Sequence, residues 1–457
     1  MGYDENGKDL SDLRKELVME HKLLARKPIG NPRRVWRQDN FTLAVDTPSV
    51  LGLTPPSALT KQKTRRAVKT ALDAGFDLLG CLWAHSETAM DIVRAAEAYG
   101  GKVLFQDLLR FGGMGDNPPH CQKNDYEGAI RDTAQWKSIA GYIMYDEPIL
   151  DEHLAETRRM IDYCEKVRPE LLPYVVANPN GHPRCHWKNN AYASYIKKFI
   201  EVIDPAQMDF DAYPIGAKAE YNNGEQLDNS SFWGGLEVVR RAAAEKQIPF
   251  WFYYQGQHFP WHKGQYVFTP AMERAMAFSG VLHGAKALSC YIEFDGYVDP
   301  KTGGRGKFFD AQKRLNDDLH NLGHTLMALN CQRVIHDEGL APDHPTMVGY
   351  RTPLAESELL HSEKPLPRRI SVSEHTDAYG NQYLMVLNRD YENEANVTLN
   401  LKMPCHAYEV SQADGEQYFR YENTLHLPLT LAPGDLALYR LQPASEAPFT
   451  LEYYLDK

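Results

Sequence analysis

Apolar runs of strand length alternate along this chain with longer stretches whose apolar residues recur every three or four positions. The runs are Phe41–Asp46, Asp77–Trp83, Lys102–Asp107, Gly141–Tyr145, Tyr174–Ala177, Met208–Tyr213, Phe250–Tyr254 and Ala287–Ile292. Between them, Ser86–Tyr99 sets Ala89, Ile92, Val93 and Ala96 on one helical face, and Asp151–Arg168 does the same with Leu154, Ile161 and Cys164. Thr269 and Pro270 open another helix, Ala271–His283, which Gly284 stops. Strands alternating with helices predict a parallel sheet, and eight such units suffice to close a (β/α)8 TIM barrel over residues 41–332.

Beyond a last helix at Asp310–Asn330 the texture changes near Arg333. Short alternating runs follow at Gln382–Asn388, Asn396–Leu401, Ala407–Gln412, Thr424–Leu431 and Leu436–Leu441, with turn signals at Gly380 and Gly434. They predict a C-terminal all-β sandwich over residues 333–457. The first forty residues are polar, with a helical stretch at Leu10–Leu24, and read as an extension on the surface.

Composition narrows the function. A net charge of −11 without a basic stripe excludes nucleic acid as partner. No apolar run approaches the ~18 residues of a membrane span. The N-terminus lacks the apolar core of a secretory leader, which points to the cytoplasm, or to a secreted or periplasmic protein if a leader has been removed. Seven irregularly spaced cysteines do not form a disulfide framework. No glycine-rich first turn or P-loop is present, so no cofactor is expected. His182, Cys185 and His186 match no zinc spacing, and no metal is expected.

In such a barrel, chemistry belongs at the C-terminal strand ends. The fourth run ends in Tyr145, Asp146, Glu147 and Pro148; strict alternation places Glu147 on one face with Tyr145 and Ile143, and a carboxyl there suits a general acid. The sixth carries Asp209, Asp211 and Tyr213 on one face, acids that are costly inside a barrel unless they bind something. The seventh ends in Gln255 after Trp251 and Tyr254, and the eighth in Glu293. Asp46, Trp83, His85, Asp107, Arg110 and Asn178 stand at the remaining ends as candidate substrate contacts.

The run GYIMYDEP resembles the fourth-strand acid/base motif of (β/α)8 glycoside hydrolases. QMDFDAYPIG is similar to their sixth-strand segment, and AMERAMAFSGVLHGAKALSCYIEF to their seventh helix and eighth strand. The resemblance covers residues 41–330 and implies a glycosidase acting on an oligosaccharide or other glycoside. Glu147 is then the acid/base, with Glu293 or Asp211 as second carboxylate, and Trp83, Tyr213, Trp251 and Tyr254 shape the sugar subsites. One departure stands out: the group's nucleophilic glutamate lies at strand seven, where this chain has Gln255. Two other readings stay open. Asp146 and Glu147 resemble the adjacent pair of substrate-assisted N-acetylhexosaminidases such as family 123, or the barrel binds sugar without cleaving it.

Overall fold

The computed structural model describes residues 28–46, 58–82, 84, 86–111, 125–179, 191–215, 230–257, 268–291, 296–340, 349–446 and 448. Strands β1 (Thr42–Asp46), β2 (Leu78–Gly80), β3 (Lys102–Phe105), β4 (Ile139–Asp146), β5 (Leu172–Ala177), β6 (Met208–Asp211), β7 (Phe250–Gln255) and β8 (Ala287–Tyr291) run parallel and close in chain order, β8 pairing back onto β1. Each of the eight expected runs overlaps its strand, with β4, β5 and β7 reaching one or two residues beyond the expected ends. The described helices around them are α1 (Ala58–Asp73), α2 (Ser86–Tyr99), α3 (Leu108–Phe111), α4 (Tyr126–Asp132), α5 (Asp151–Val167), α6 (Ala191–Ile203), α7 (Ser230–Lys246), α8 (Pro270–Leu282) and α9 (Phe309–Ala328). As expected, Thr269 caps α8 by accepting from the Met272 amide, with Pro270 in the first turn.

Strand residues alternate between two apolar layers. Leu43, Val45, Val103, Phe210, Phe252 and Leu288 face the helices. Ala44, Leu104, Tyr174, Trp251, Tyr253 and Ala287 fill the barrel. The strands approach closely at Gly141, where an added Cβ would sit 2.4 Å from the Leu172 carbonyl oxygen. At the N-terminal strand ends the barrel is plugged by residues 28–40, which therefore do not lie loosely on the surface. Asn31, Arg34 and Gln38 are buried. The Arg34 guanidinium bonds Asp162 and Glu165 on α5, and Gln38 Oε1 accepts from the Trp251 indole at 2.9 Å. Polar side chains go inside here because each finds a partner.

The C-terminal strands β9 (Asn330–His336), β10 (Ile370–Thr376), β11 (Gln382–Asn388), β12 (Ala395–Val410), β13 (Gln417–Leu431) and β14 (Leu436–Pro443) form one antiparallel sheet ordered β13-β12-β14-β11-β10-β9. The expected second layer arises by bending within that sheet. β12 pairs with β14 only from Cys405 to Glu409, and its register breaks after Asn400. The remaining arm, paired with the end of β13, lays Val397, Leu399, Leu427 and Leu429 against Val372, Leu384 and Val386. The opposite face contributes Tyr383, Met385, Leu387, Leu436 and Leu438 to the core that also holds Met272, Ala275 and Phe278 of α8. Polar links join the same seam: Arg274 bonds Asp435 at 3.0 Å and Asp318 at 2.7 Å.

Candidate active site

At the end of β4, alternation breaks. The pairing of β4 with β5 shifts register between Ile143 and Tyr145. Ile143 lies in the barrel layer, whereas Met144 and Tyr145 both lie in the helix-facing layer. Tyr145 accordingly packs on His153 of α5, ring centroids 5.1 Å apart, and is not the neighbour of Glu147 that strict alternation predicts. The bulge returns Asp146 to the barrel side, where its charge reaches the buried Tyr174 hydroxyl. Glu147 then takes φ 53°, in the left-handed region. That backbone costs a non-glycine residue ~1–3 kcal/mol. It lets two consecutive carboxyls face the mouth, which an extended strand forbids.

The Glu147 carboxyl meets Asp211 of β6 in hydrogen-bonding contact. Burial, then the negative charges of Asp211 and Asp146, push Glu147 well above the ordinary carboxylate range. Burial also raises Asp211, to about 6, against the opposing effect of hydrogen bonds from Glu147 and Tyr213. Of the two, Glu147 is pushed further from the ordinary carboxylate range, because burial and the charges of both Asp211 and Asp146 act on it. Deeper in the barrel, burial raises Asp209 to about 8. Its Oδ2 accepts from the Tyr174 hydroxyl at 2.5 Å and from Ser289 at 3.5 Å. Asp209 thus ties β6 to β5 and β8 across the lumen beneath the pair. Asp46 is wholly buried at the end of β1, on the same side as Ala44.

Tyr213, partly exposed beside Asp211, stacks on Tyr291 at 5.0 Å, and Tyr291 meets Tyr253 edge-on at 6.0 Å. Sequence reasoning missed Tyr253 and Tyr291 as lining groups, although both share the inward parity of Trp251 and Ser289. Two expected subsite aromatics lie elsewhere. Trp251 sits at the barrel floor against Tyr174 and Trp36, and Tyr254 faces the helices, its hydroxyl accepting from Gln312 at 3.1 Å. Asp107 accepts from Ser86 and the Leu109 amide, and Arg110 pairs with Asp125 and Asp132, so both serve local structure. Asn178 turns to the backbone, its Nδ2 donating to the Glu147 carbonyl at 3.2 Å. Trp83, His85, His182, Cys185, His186 and Glu293 lie outside the described residues. Among the described residues, no group of three or more metal-ligating side chains converges.

Gln255 shows why an amide ends β7. Its Nε2 donates to the carbonyls of Ile215 and Gln257, and its Oε1 accepts from the Ile215 amide. A carboxylate at this wholly buried position would set two lone-pair faces against two carbonyls. Gln255→Glu is therefore expected to destabilise the fold by ~1–3 kcal/mol at neutral pH and less at pH 4, measured by urea denaturation. Equal stability of variant and parent at pH 7 would contradict this role.

No known protein-family description matches the chain, and no curated protein matches it in sequence. Solved structures do match its shape. A Bacteroides fragilis protein proposed to be an alpha-galactosidase has 11% identity and a TM-score of 0.50, over 92% of this chain and 79% of its own. A second from that organism, proposed to be an alpha-galactosidase/melibiase, has 10% identity and a TM-score of 0.50, over 88% and 79%. A GH27 β-L-arabinopyranosidase from Geobacillus stearothermophilus has 10% identity and a TM-score of 0.48, over 94% and 99%. The fold they share with this chain is a parallel eight-stranded barrel followed by an antiparallel sheet.

Proposed function

We propose that the protein is a glycoside hydrolase in which Glu147 is the general acid/base and Asp211 the second carboxylate. The observation that carries this reading is the meeting of their carboxyls at the barrel mouth, where burial and the neighbouring charges push Glu147 up. Glycoside hydrolysis needs one protonated and one ionised carboxyl flanking the scissile bond. As the bond between the anomeric carbon and the leaving oxygen breaks, the Glu147 proton passes to that oxygen. Asp211 meets the positive charge that develops on the sugar, and water then adds to the anomeric carbon and gives its proton to a carboxylate of the pair. Retaining and inverting sites separate their carboxyls by ~5–5.5 Å and ~6.5–9.5 Å, so a bound sugar must part the resting pair. Tyr213 and Tyr291 offer ring faces beside it. The kinship of shape with proteins proposed to be alpha-galactosidases supports the same class.

Asp146 favours a second reading, because the bulge turns it to the barrel side next to Glu147. It would orient a substrate's own 2-acetamido group while Glu147 donates the proton, limiting activity to 2-acetamido sugars. A panel of nitrophenyl glycosides and natural oligosaccharides, with and without 2-acetamido groups, separates the two. Turnover of none of them by the parent enzyme would leave a sugar-binding barrel and sink both.

A further inference from the structure

Glu147 keeps its left-handed backbone between a bulged strand and a proline. Pro148 has no N–H to stabilise the turn, so the bonds that fix it must come from outside. A non-glycine residue holds such a conformation only where its surroundings over-determine it. Here they come from β5 and α6. The Glu147 amide donates to Val176 O at 3.2 Å, and Asn178 Nδ2 donates to the Glu147 carbonyl at 3.2 Å. The Tyr195 hydroxyl donates to the Pro148 carbonyl at 3.1 Å and accepts from the Asn178 amide at 3.1 Å. Tyr192 completes the set by donating to the Asn178 carbonyl at 3.0 Å. Asn178 is wholly buried.

We propose that Asn178 and Tyr195 form a clamp that fixes the Glu147 turn and so holds its carboxyl against Asp211. They are positioning residues, acting through the backbone carbonyls of Glu147 and Pro148. Without them the turn relaxes toward extended backbone, which swings the side chain off the face that Asp211 occupies. The inference deepens the assignment of Glu147 as the acid and rests on it for its catalytic meaning, although the geometry is independent of any substrate.

The test reads the proton on Glu147 directly. Infrared titration of the intact protein, differenced against Glu147→Gln, isolates the Glu147 carboxyl band. Tyr195→Phe removes one hydroxyl and keeps the ring that packs on Tyr192 and Phe199. Asn178→Ala removes the donor to Glu147. In both, the Glu147 band is expected to titrate about one pH unit or more below the parent, as the carboxyl leaves Asp211 for water. An unshifted band in a folded Tyr195→Phe variant overturns the clamp, whether or not Asn178→Ala folds. A shifted band in a protein that hydrolyses no glycoside keeps the clamp and refutes only the glycosidase reading.

Discussion

Glu147→Gln is expected to lower kcat/KM on glycosides with alkyl leaving groups by about 10²–10⁴-fold, the usual contribution of a positioned general acid. Glycosides with acidic phenol leaving groups depart with little help from a proton and should lose much less. The amide is nearly isosteric and can still donate to Asp211, so the melting temperature should stay close to the parent's. Loss of activity therefore reports chemistry and not folding. Equal loss on both kinds of leaving group would remove Glu147 from the acid role.

Asp211 sets the other limb of the pH profile. With Asp211 at about 6 and Glu147 well above the carboxylate range, kcat/KM should rise through about pH 6 as Asp211 ionises and fall again once Glu147 loses its proton. The two inflections belong to the coupled pair. Asp211→Asn is expected to reduce activity by about 10²–10⁴-fold, abolish the limb near pH 6 and move the upper limb down, since the charge that raises Glu147 is gone. A limb near pH 6 that survives in this variant would assign it to another group. Stability should follow the same sign. The folded-state value of Asp211 is raised, so its stabilising contribution is complete below the unfolded value, about 4, and is lost as pH rises through about 6. Asp211→Asn should therefore melt above the parent at pH 8, with the difference closing toward pH 4.

Much of this is legible in the sequence, because eight apolar runs at regular intervals leave few architectures open. Glu147 and Asp211 were legible for the same reason, as acids at the ends of the fourth and sixth strands. The orientation of Asp146 and Tyr145 was not, since a bulge shifts parity without leaving a mark in the pattern. Trp251 and Tyr254 were misassigned because an aromatic run does not say which ring lies at the floor, which at the mouth and which outside. β10 escaped notice because Ser371, Ser373 and His375 look like solvent-facing residues. They are buried, and Ser373 bonds the His375 ring at 2.7 Å. The role of Gln255 needed three hydrogen bonds across a loop, which no spacing rule encodes.

Helix α8 is buried along nearly its whole length and on every side. A helix apolar all round cannot lie at a surface, and the barrel strands cover only one of its flanks. The change of texture near Arg333 is therefore a change of architecture and not a line along which the molecule can be divided. A barrel released at that point would show Met272, Ala275 and Phe278 to water where Tyr383, Met385 and Leu438 now sit. Such a fragment should be insoluble, and the intact chain should melt in one calorimetric transition, the last strands acting less as an appendage than as the missing wall of the first three hundred residues.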